Sequence, residues 1–298
     1  MLLGPKTTIT HGTVHSGDID CDRAPDGGIQ ASTFSREWMR LDATMLPHPA
    51  PRVLTVMFAS LAASLFAQDD DLPPPEMTEY WTPQPAVVSA QPGQPPSDAI
   101  VLFDGTSLDA WRSANEEGGD ADWTLEENTF VVKAKAGDIL TRQRFGDVQL
   151  HIEWRAPAEI VGKSQGRGNS GIFFMNRYEV QVLDSHDNPT YVNGQASSVY
   201  KQHPPLVNAT RPAGEWQVYD IVFVAPKFSP DGTLLAKAKV TVFHNGVLTQ
   251  HAAEIDGPTE WRGLPSYDFH TPREPIRLQD HGNPVAYRNI WIRELNLP

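Results

Sequence analysis

The sequence predicts an all-β fold, a two-sheet antiparallel jelly-roll sandwich, on three observations. From Ala99 onward, short runs rich in β-branched and aromatic residues alternate with clusters of Gly, Pro, Asn and Asp, the signature of strands separated by turns. With 26 Pro and 22 Gly, the chain favours many short elements over long helices. No unit repeats at a fixed spacing of about 20–50 residues, which sets propellers and solenoids aside. A run of about 200 residues of this kind suits one sandwich domain.

The N-terminal part reads differently. Residues 1–44 show neither periodicity nor an apolar run. After Met45, Arg52 supplies a positive charge and Val53 to Ala67 form an uncharged apolar stretch ending in small residues, which is a signal-peptide pattern. At about 15 residues this stretch is short of the roughly 20 that cross a bilayer as a helix. We therefore expect translation to begin at Met45, residues 1–44 to be a mis-assigned extension and residues 45–67 a signal peptide. The protein is then exported, periplasmic or extracellular, without a stable membrane anchor. The single cysteine, Cys21, precedes this segment, so no disulfide framework, Cys-based zinc site or lipoprotein anchor is expected. Residues 68–97 are acidic and then Pro-rich, as in a linker or an arm wrapped over the domain, and Tyr80 and Trp81 favour the arm.

From residue 98 to 298 the best strands are AIVLFDG, TFVVKA, VQLHIEWR, SGIFFMN, YEVQVLD, WQVYDIVFVA, KVTVFHNGV, PIRLQDHG and YRNIWIREL. Asn245-Gly246 tolerates positive φ, so residues 240–244 should fold back on 247–251 as a hairpin.

Side chains alternate between the faces of a strand. In YEVQVLD, Val180 and Val182 then face the core while Glu179 and Gln181 share the other face, toward which a bulge or the strand end would re-aim Asp184. In VQLHIEWR, Leu150, Ile152 and Trp154 are core, and Gln149, His151, Glu153 and Arg155 form the polar face. In PIRLQDHG, Ile276 and Leu278 are core, Arg277 and Gln279 share the open face, and Asp280 and His281 lie at the strand exit. Such positions ordinarily meet water on the outside of an antiparallel sheet. Here they are Gln, His, Arg and single carboxylates, groups suited to hydrogen-bonding sugar hydroxyls, and a carbohydrate-binding concave sheet competes evenly with the solvated face.

A formal net charge of -13 argues against nucleic acid as a partner. GRGNSGIFF lacks the Lys-Ser/Thr ending of a phosphate loop and leads into a strand; Gly168 and Gly171 leave Asn169 and Ser170 where the backbone comes close to something. No HExxH, G-x-S-x-G or EF-hand loop occurs. His151 and Glu153 are same-face neighbours to which a divalent metal could bind, but spacing fixes no third ligand and no cofactor is certain.

AIVLFDGTSLDAWR, GRGNSGIFFMNRYEVQVLDS, GEWQVYDIVFVAP, TVFHNGVLTQHAAEIDGPT and PIRLQDHGNPVAYRNIWIREL together resemble the 3-keto-disaccharide hydrolase domain family, of concanavalin A-like jelly-roll fold, across about Asp98 to Leu297. In style, Glu179, Gln181 and Asp184 also resemble the E-x-D-x-x-E strand of laminarinase-type glycosidases, with Gln for the middle acid and Asp for the last. A retaining glycosidase needs two carboxyl groups about 5 Å apart, and Gln181 cannot be one of them.

The resemblance implies cleavage of sugars oxidised at C3, where the ketone acidifies the C2 hydrogen and the glycosidic oxygen leaves by elimination, with or without later addition of water. That chemistry needs a base, an acid for the leaving oxygen and a donor or cation for the enolate. It implies Glu179 and His281 as the acid–base pair. Gln181, Gln279, Arg155 and Asn169 follow as substrate or enolate donors, with Glu153, His151 and Asp184 behind them. Tyr200 lines the pocket within SSVYK, where Ser198 and Lys201 replace the glycines of the family's GAIYG-like run. A non-catalytic carbohydrate-binding module and an ordinary glycoside hydrolase are the alternatives.

Overall fold

In VQLHIEWR every second residue is buried, from Val148 to Trp154, while the residues between are only half-buried, so the strand presents one dry and one wet face. The same alternation in QVYDIVFV buries Tyr219, Ile221 and Phe223. These dry faces are what two sheets bury against each other.

The computed structural model describes residues 72–115 and 117–297. The chain parts between Trp81 and Thr82 into two units. In the first, Pro75–Thr78 form a single 3₁₀ turn, and Tyr80 and Trp81 are exposed. The expected signal segment and the extension before it lie outside the described residues. In the second unit the Pro-rich stretch ends in a loop closed by Ser89 and Ser97, each of whose backbone N–H groups donates to the other residue.

The strands of the second unit follow in chain order. They are β1 (Ile100–Phe103), β2 (Trp111–Ser113), β3 (Thr124–Glu126), β4 (Thr129–Val131), β5 (Ile139–Thr141), β6 (Val148–Arg155), β7 (Ser170–Phe174) and β8 (Tyr178–Val182). Then come β9 (Gln217–Val224), β10 (Lys227–Phe228), β11 (Leu234–Ala236), β12 (Lys239–His244), β13 (Val247–Glu254), β14 (Arg277–Leu278) and β15 (Ala286–Glu294). One sheet runs β13-β12-β9-β6-β15-β4-β3 with β1 also on β15; the other runs β2-β5-β14-β7-β8; β10 and β11 form a separate ribbon. All pairings are antiparallel.

The fold is therefore the all-β, two-sheet antiparallel jelly-roll sandwich that the sequence predicts. One core joins the sheets, with Ile152, Trp154 and Ile221 from the larger beside Ile172, Val180 and Leu278 from the smaller. Phe174 of β7 stacks on Phe223 of β9 with ring centroids 4.6 Å apart. Two tyrosines that reach across keep their hydroxyls hydrogen-bonded, Tyr219 to the Gln181 carbonyl and Tyr287 to the Ser170 hydroxyl. The β12–β13 hairpin forms as expected, with Asn245 and Gly246 at φ 53° and 79° and His244 opposite Val247.

Candidate active site

The outer face of the five-stranded sheet carries a cavity of about 390 Å³. The register builds its floor. In β7 and β8 Phe173 lies opposite Glu179 and Gly171 opposite Gln181; in β14 Arg277 lies opposite Phe173, and the Gln279 N–H beyond it donates to the Gly171 carbonyl at 3.1 Å. Beyond the free edge of β8, Val199 bridges Val180, and the Tyr200 N–H donates to the Glu179 carbonyl at 3.3 Å. Opposed residues in an antiparallel pair point to the same face. One row across the sheet thus reads Tyr200, Glu179, Phe173, Arg277, and the next reads Gln181, Gly171, Gln279. Asn169, Thr259, Trp261 and His281 complete the wall.

Gly171 is the gap in the second row. A Cβ at this position would stand 2.5 Å from Glu179 Oε1 and 2.7 Å from Phe173 Cε2. The missing side chain is what leaves room for the carboxylate. Gly171→Ala is expected to displace Glu179, and any turnover that depends on this carboxylate should lose about 10²-fold in kcat/KM, the usual cost of misplacing a reacting group by about 1 Å. Steady-state kinetics beside a circular dichroism spectrum checks it; full activity in the variant would remove Gly171 from the site.

Glu179 is only 4% exposed, and its carboxylate accepts no hydrogen bond from any described residue. Burial pushes its pKa up to about 8; Arg277 pulls it down and Asp138 adds to the rise. The guanidinium carbon of Arg277 sits 3.8 Å from the Phe173 ring centroid, which brings the charge back over β7 toward Glu179. Its Nη1 is 3.3 Å from Asp138 Oδ2, and burial holds its pKa below the usual arginine value while Asp138 and Glu179 oppose that. Asp138 is itself pushed up by burial, against the Asp280 N–H at 2.8 Å and Arg277.

Two buried polar atoms at this site have no partner among the described residues, Arg277 Nε and Gln181 Oε1. Gln181 is oriented from its other end, Nε2 donating to Gln165 Oε1 at 2.9 Å and to the Gly194 carbonyl. Leaving a buried polar atom unpaired costs about 1–3 kcal/mol, so a pair of them around one carboxylate marks where a polar ligand docks.

Of the residues singled out in the sequence, Glu179, Gln181, Gln279, Asn169, Tyr200 and His281 meet in the cavity, with His281 at its exposed rim. Lys201 does not line it. Its ammonium lies 4.3 Å from the Tyr191 ring centroid, and the Tyr191 and Tyr200 hydroxyls hydrogen-bond at 2.6 Å.

His151, Glu153 and Arg155 are elsewhere. They stand on β6, in the eight-stranded sheet, and face outward from the opposite side of the sandwich. His151 Nδ1 meets Asp220 Oδ1 at 2.7 Å, Arg288 Nε donates to Glu153 Oε2 at 2.6 Å, and Asn289 donates to Glu153 Oε1 at 2.9 Å. Burial works against a charge on His151, but Asp220 and Glu153 raise its pKa to about 9; burial likewise opposes ionisation of Glu153, yet His151, Asn289 and Arg288 lower it to about 2. Arg155 stacks its guanidinium over Trp216, 4.7 Å from the centroid. Parity fixes which face of a strand a residue occupies and not which sheet the strand joins, so these three belong to a surface network. Among the described residues no three His, Cys, Asp or Glu side chains are grouped to hold a metal ion.

Asp184 is not re-aimed toward Glu179 either. It is 2% exposed, takes Arg167 Nε at 2.6 Å, and ties down the loop through the His186 N–H. The same guanidinium donates to the carbonyls of His186 and Asp187, so Asp184 is a buried structural anchor. The cavity also uses residues that strand parity left unmarked. Phe173 reads as core in SGIFFMN, Thr259 and Trp261 sit on a loop with no periodic signal, and Asp138, which meets Arg277 from behind the cavity wall, lies in the loop just before β5.

Residues 98–293 match the 3-keto-alpha-glucoside-1,2-lyase-like domain. The chain is 23% identical over 244 residues to a 3-keto-disaccharide hydrolase of Bacteroides thetaiotaomicron, spanning 68% of this chain and 81% of that one. A solved structure of a candidate glycosyl hydrolase from Parabacteroides distasonis is 51% identical, with a TM-score of 0.72 over 74% of this chain and 97% of its own. The match spans the whole sandwich and both rows of the cavity, and on that ground this chain belongs to the 3-keto-alpha-glucoside-1,2-lyase-like domain family.

Proposed function

We propose that the protein cleaves 3-keto-glycosides by removing the C2 proton and eliminating the glycosidic oxygen. The observation that carries this reading is a single buried carboxyl group, Glu179, facing an arginine whose Nε has no partner among the described residues, over a glycine floor. Glu179 is the one carboxylate among the residues lining the cavity, which suits one proton abstraction and not a double displacement needing two carboxyls about 5 Å apart.

In the proposed reaction the Glu179 carboxylate takes the proton at C2, and the C–H electrons move into the C2–C3 bond. The negative charge settles on the C3 oxygen, where Arg277 and the Gln279 amide stabilise it. When the enolate collapses, the C1–O bond breaks and its electrons leave with the aglycone oxygen; water adding to the resulting enone completes a hydrolysis. A carboxylate with a pKa of about 8 is a stronger base than an ordinary one and lies close to working pH.

The first test follows the C2 hydrogen of a 3-keto-glucoside in D₂O by NMR. Enzyme-dependent loss of that signal together with aglycone release is expected. Binding of glycans without exchange or release would make the protein a binding module; release from unoxidised glucan would make it an ordinary glycoside hydrolase. The reading also includes export, supported by the apolar segment ending at Ala67. Mass spectrometry of the mature chain is expected to find an N-terminus near Gln68, and an N-terminus at Met1 would refute it.

A further inference from the structure

Elimination across C1 and C2 needs its acid beside its base, because the hydrogen and the leaving oxygen are on neighbouring carbons. His281 does not meet this condition. It lies past the end of β14, two strands from Glu179, and strands about 4.8 Å apart put roughly 10 Å between them along the sheet. Tyr200 does meet it. It lies directly opposite Glu179 across the free edge of β8, where paired residues hold their Cβ atoms about 4.5–5.5 Å apart on one face, and its side chain lines the cavity.

From this placement we infer that Tyr200 is the general acid that protonates the departing glycosidic oxygen, and that Tyr191 restores its proton. The inference rests on the elimination proposed above. The order along the row then matches the order along the sugar: Tyr200 at the oxygen on C1, Glu179 at C2, Arg277 at the oxygen on C3. In the acid step the Tyr200 O–H bond breaks as the proton passes to the leaving oxygen, which departs as an alcohol. The Tyr191 hydroxyl, 2.6 Å away, gives its proton to the Tyr200 phenolate and takes one from water at the more exposed end of the pair.

Two further observations agree. The Lys201 ammonium, 4.3 Å from the Tyr191 ring centroid, favours the transient negative charge on that ring. Burial and the Tyr191 contact hold the Tyr200 phenol well above the usual tyrosine value, so it stays protonated through the working range and has a proton to give.

The experiment compares two 3-keto-glucosides, one with a sugar or methyl aglycone and one with 4-nitrophenol, which leaves without a proton. Tyr200→Phe is expected to lower kcat/KM on the first by about 10²–10⁴-fold and on the second by less than about tenfold. In D₂O the variant should also wash deuterium into unreacted substrate, because the enolate still forms but does not expel a poor leaving group. Tyr191→Phe should show the same leaving-group dependence at a smaller size and guards against a fold defect at Tyr200. Equal losses on both substrates, or unchanged cleavage of the methyl glycoside, would overturn the role of Tyr200 while leaving the elimination intact. Absence of both exchange and release in the unsubstituted protein would instead overturn the elimination, and this role with it.

Discussion

Glu179→Gln is expected to lower kcat/KM on a 3-keto-glucoside by about 10²–10⁴-fold, the usual contribution of a general base, with the sandwich still folded. The amide fits the same space beside Gly171 but cannot accept the proton. In the unsubstituted protein kcat/KM should climb with pH through about 8, the value to which burial raises this carboxyl. The variant's residual rate should lack that limb.

Stability supplies an independent reading of the same group. Between the ordinary carboxylate value near 4.5 and about 8, folded Glu179 holds a proton that the unfolded chain has released. Stability from this group is therefore full below about 4.5 and is lost as pH rises through about 8. Glu179→Gln should flatten that decline in thermal melts. A variant with undiminished turnover would end the assignment of Glu179 as base.

Arg277→Met should have the second-largest effect, a loss of about 10²–10³-fold in kcat, as expected when one preorganised donor to a developing oxyanion is removed. Met retains much of the packing against Phe173 but not the charge. Because Arg277 lowers the pKa of Glu179, the activity limb should also move above 8 in this variant. A residue that only supported the floor would change melting temperature without moving the limb, so the pH profile separates the two roles. Arg277→Lys is expected to recover part of the limb but little of kcat, since an ammonium has neither the planar stack nor the Nε donor.

Much of this site is legible in strand parity. Glu179, Gln181, Arg277 and Gln279 alternate with Val180, Val182, Ile276 and Leu278, and alternation within a strand is a local property of the extended backbone. The hairpin at Asn245-Gly246 is local too, because it depends on which residues tolerate positive φ. Phe173 escaped the same logic because an aromatic residue in a hydrophobic run reads as core. Here it serves instead as the platform under Arg277.

The misplaced residues share one cause. VQLHIEWR has the same alternation as YEVQVLD, yet its polar side belongs to the other sheet, with His151 held by Asp220 from β9 and Glu153 by Arg288 from β15. Asp184 shows the complementary case, since Arg167, its partner 17 residues away, decides that it is an anchor and not a third acid.

By itself the sequence determined the class of fold, the two-faced character of its strands and the chemical types available on each face, since these follow from backbone geometry and side-chain polarity within a few residues. Only the tertiary structure decided which strands share a sheet, and with that which polar faces meet. β7 and β8 form a local hairpin, but setting β14 beside β7 joins chain segments about 100 residues apart, and no local preference encodes it. That pairing sets Arg277 near Glu179 over the Gly171 gap and leaves His151 on the far side of the core.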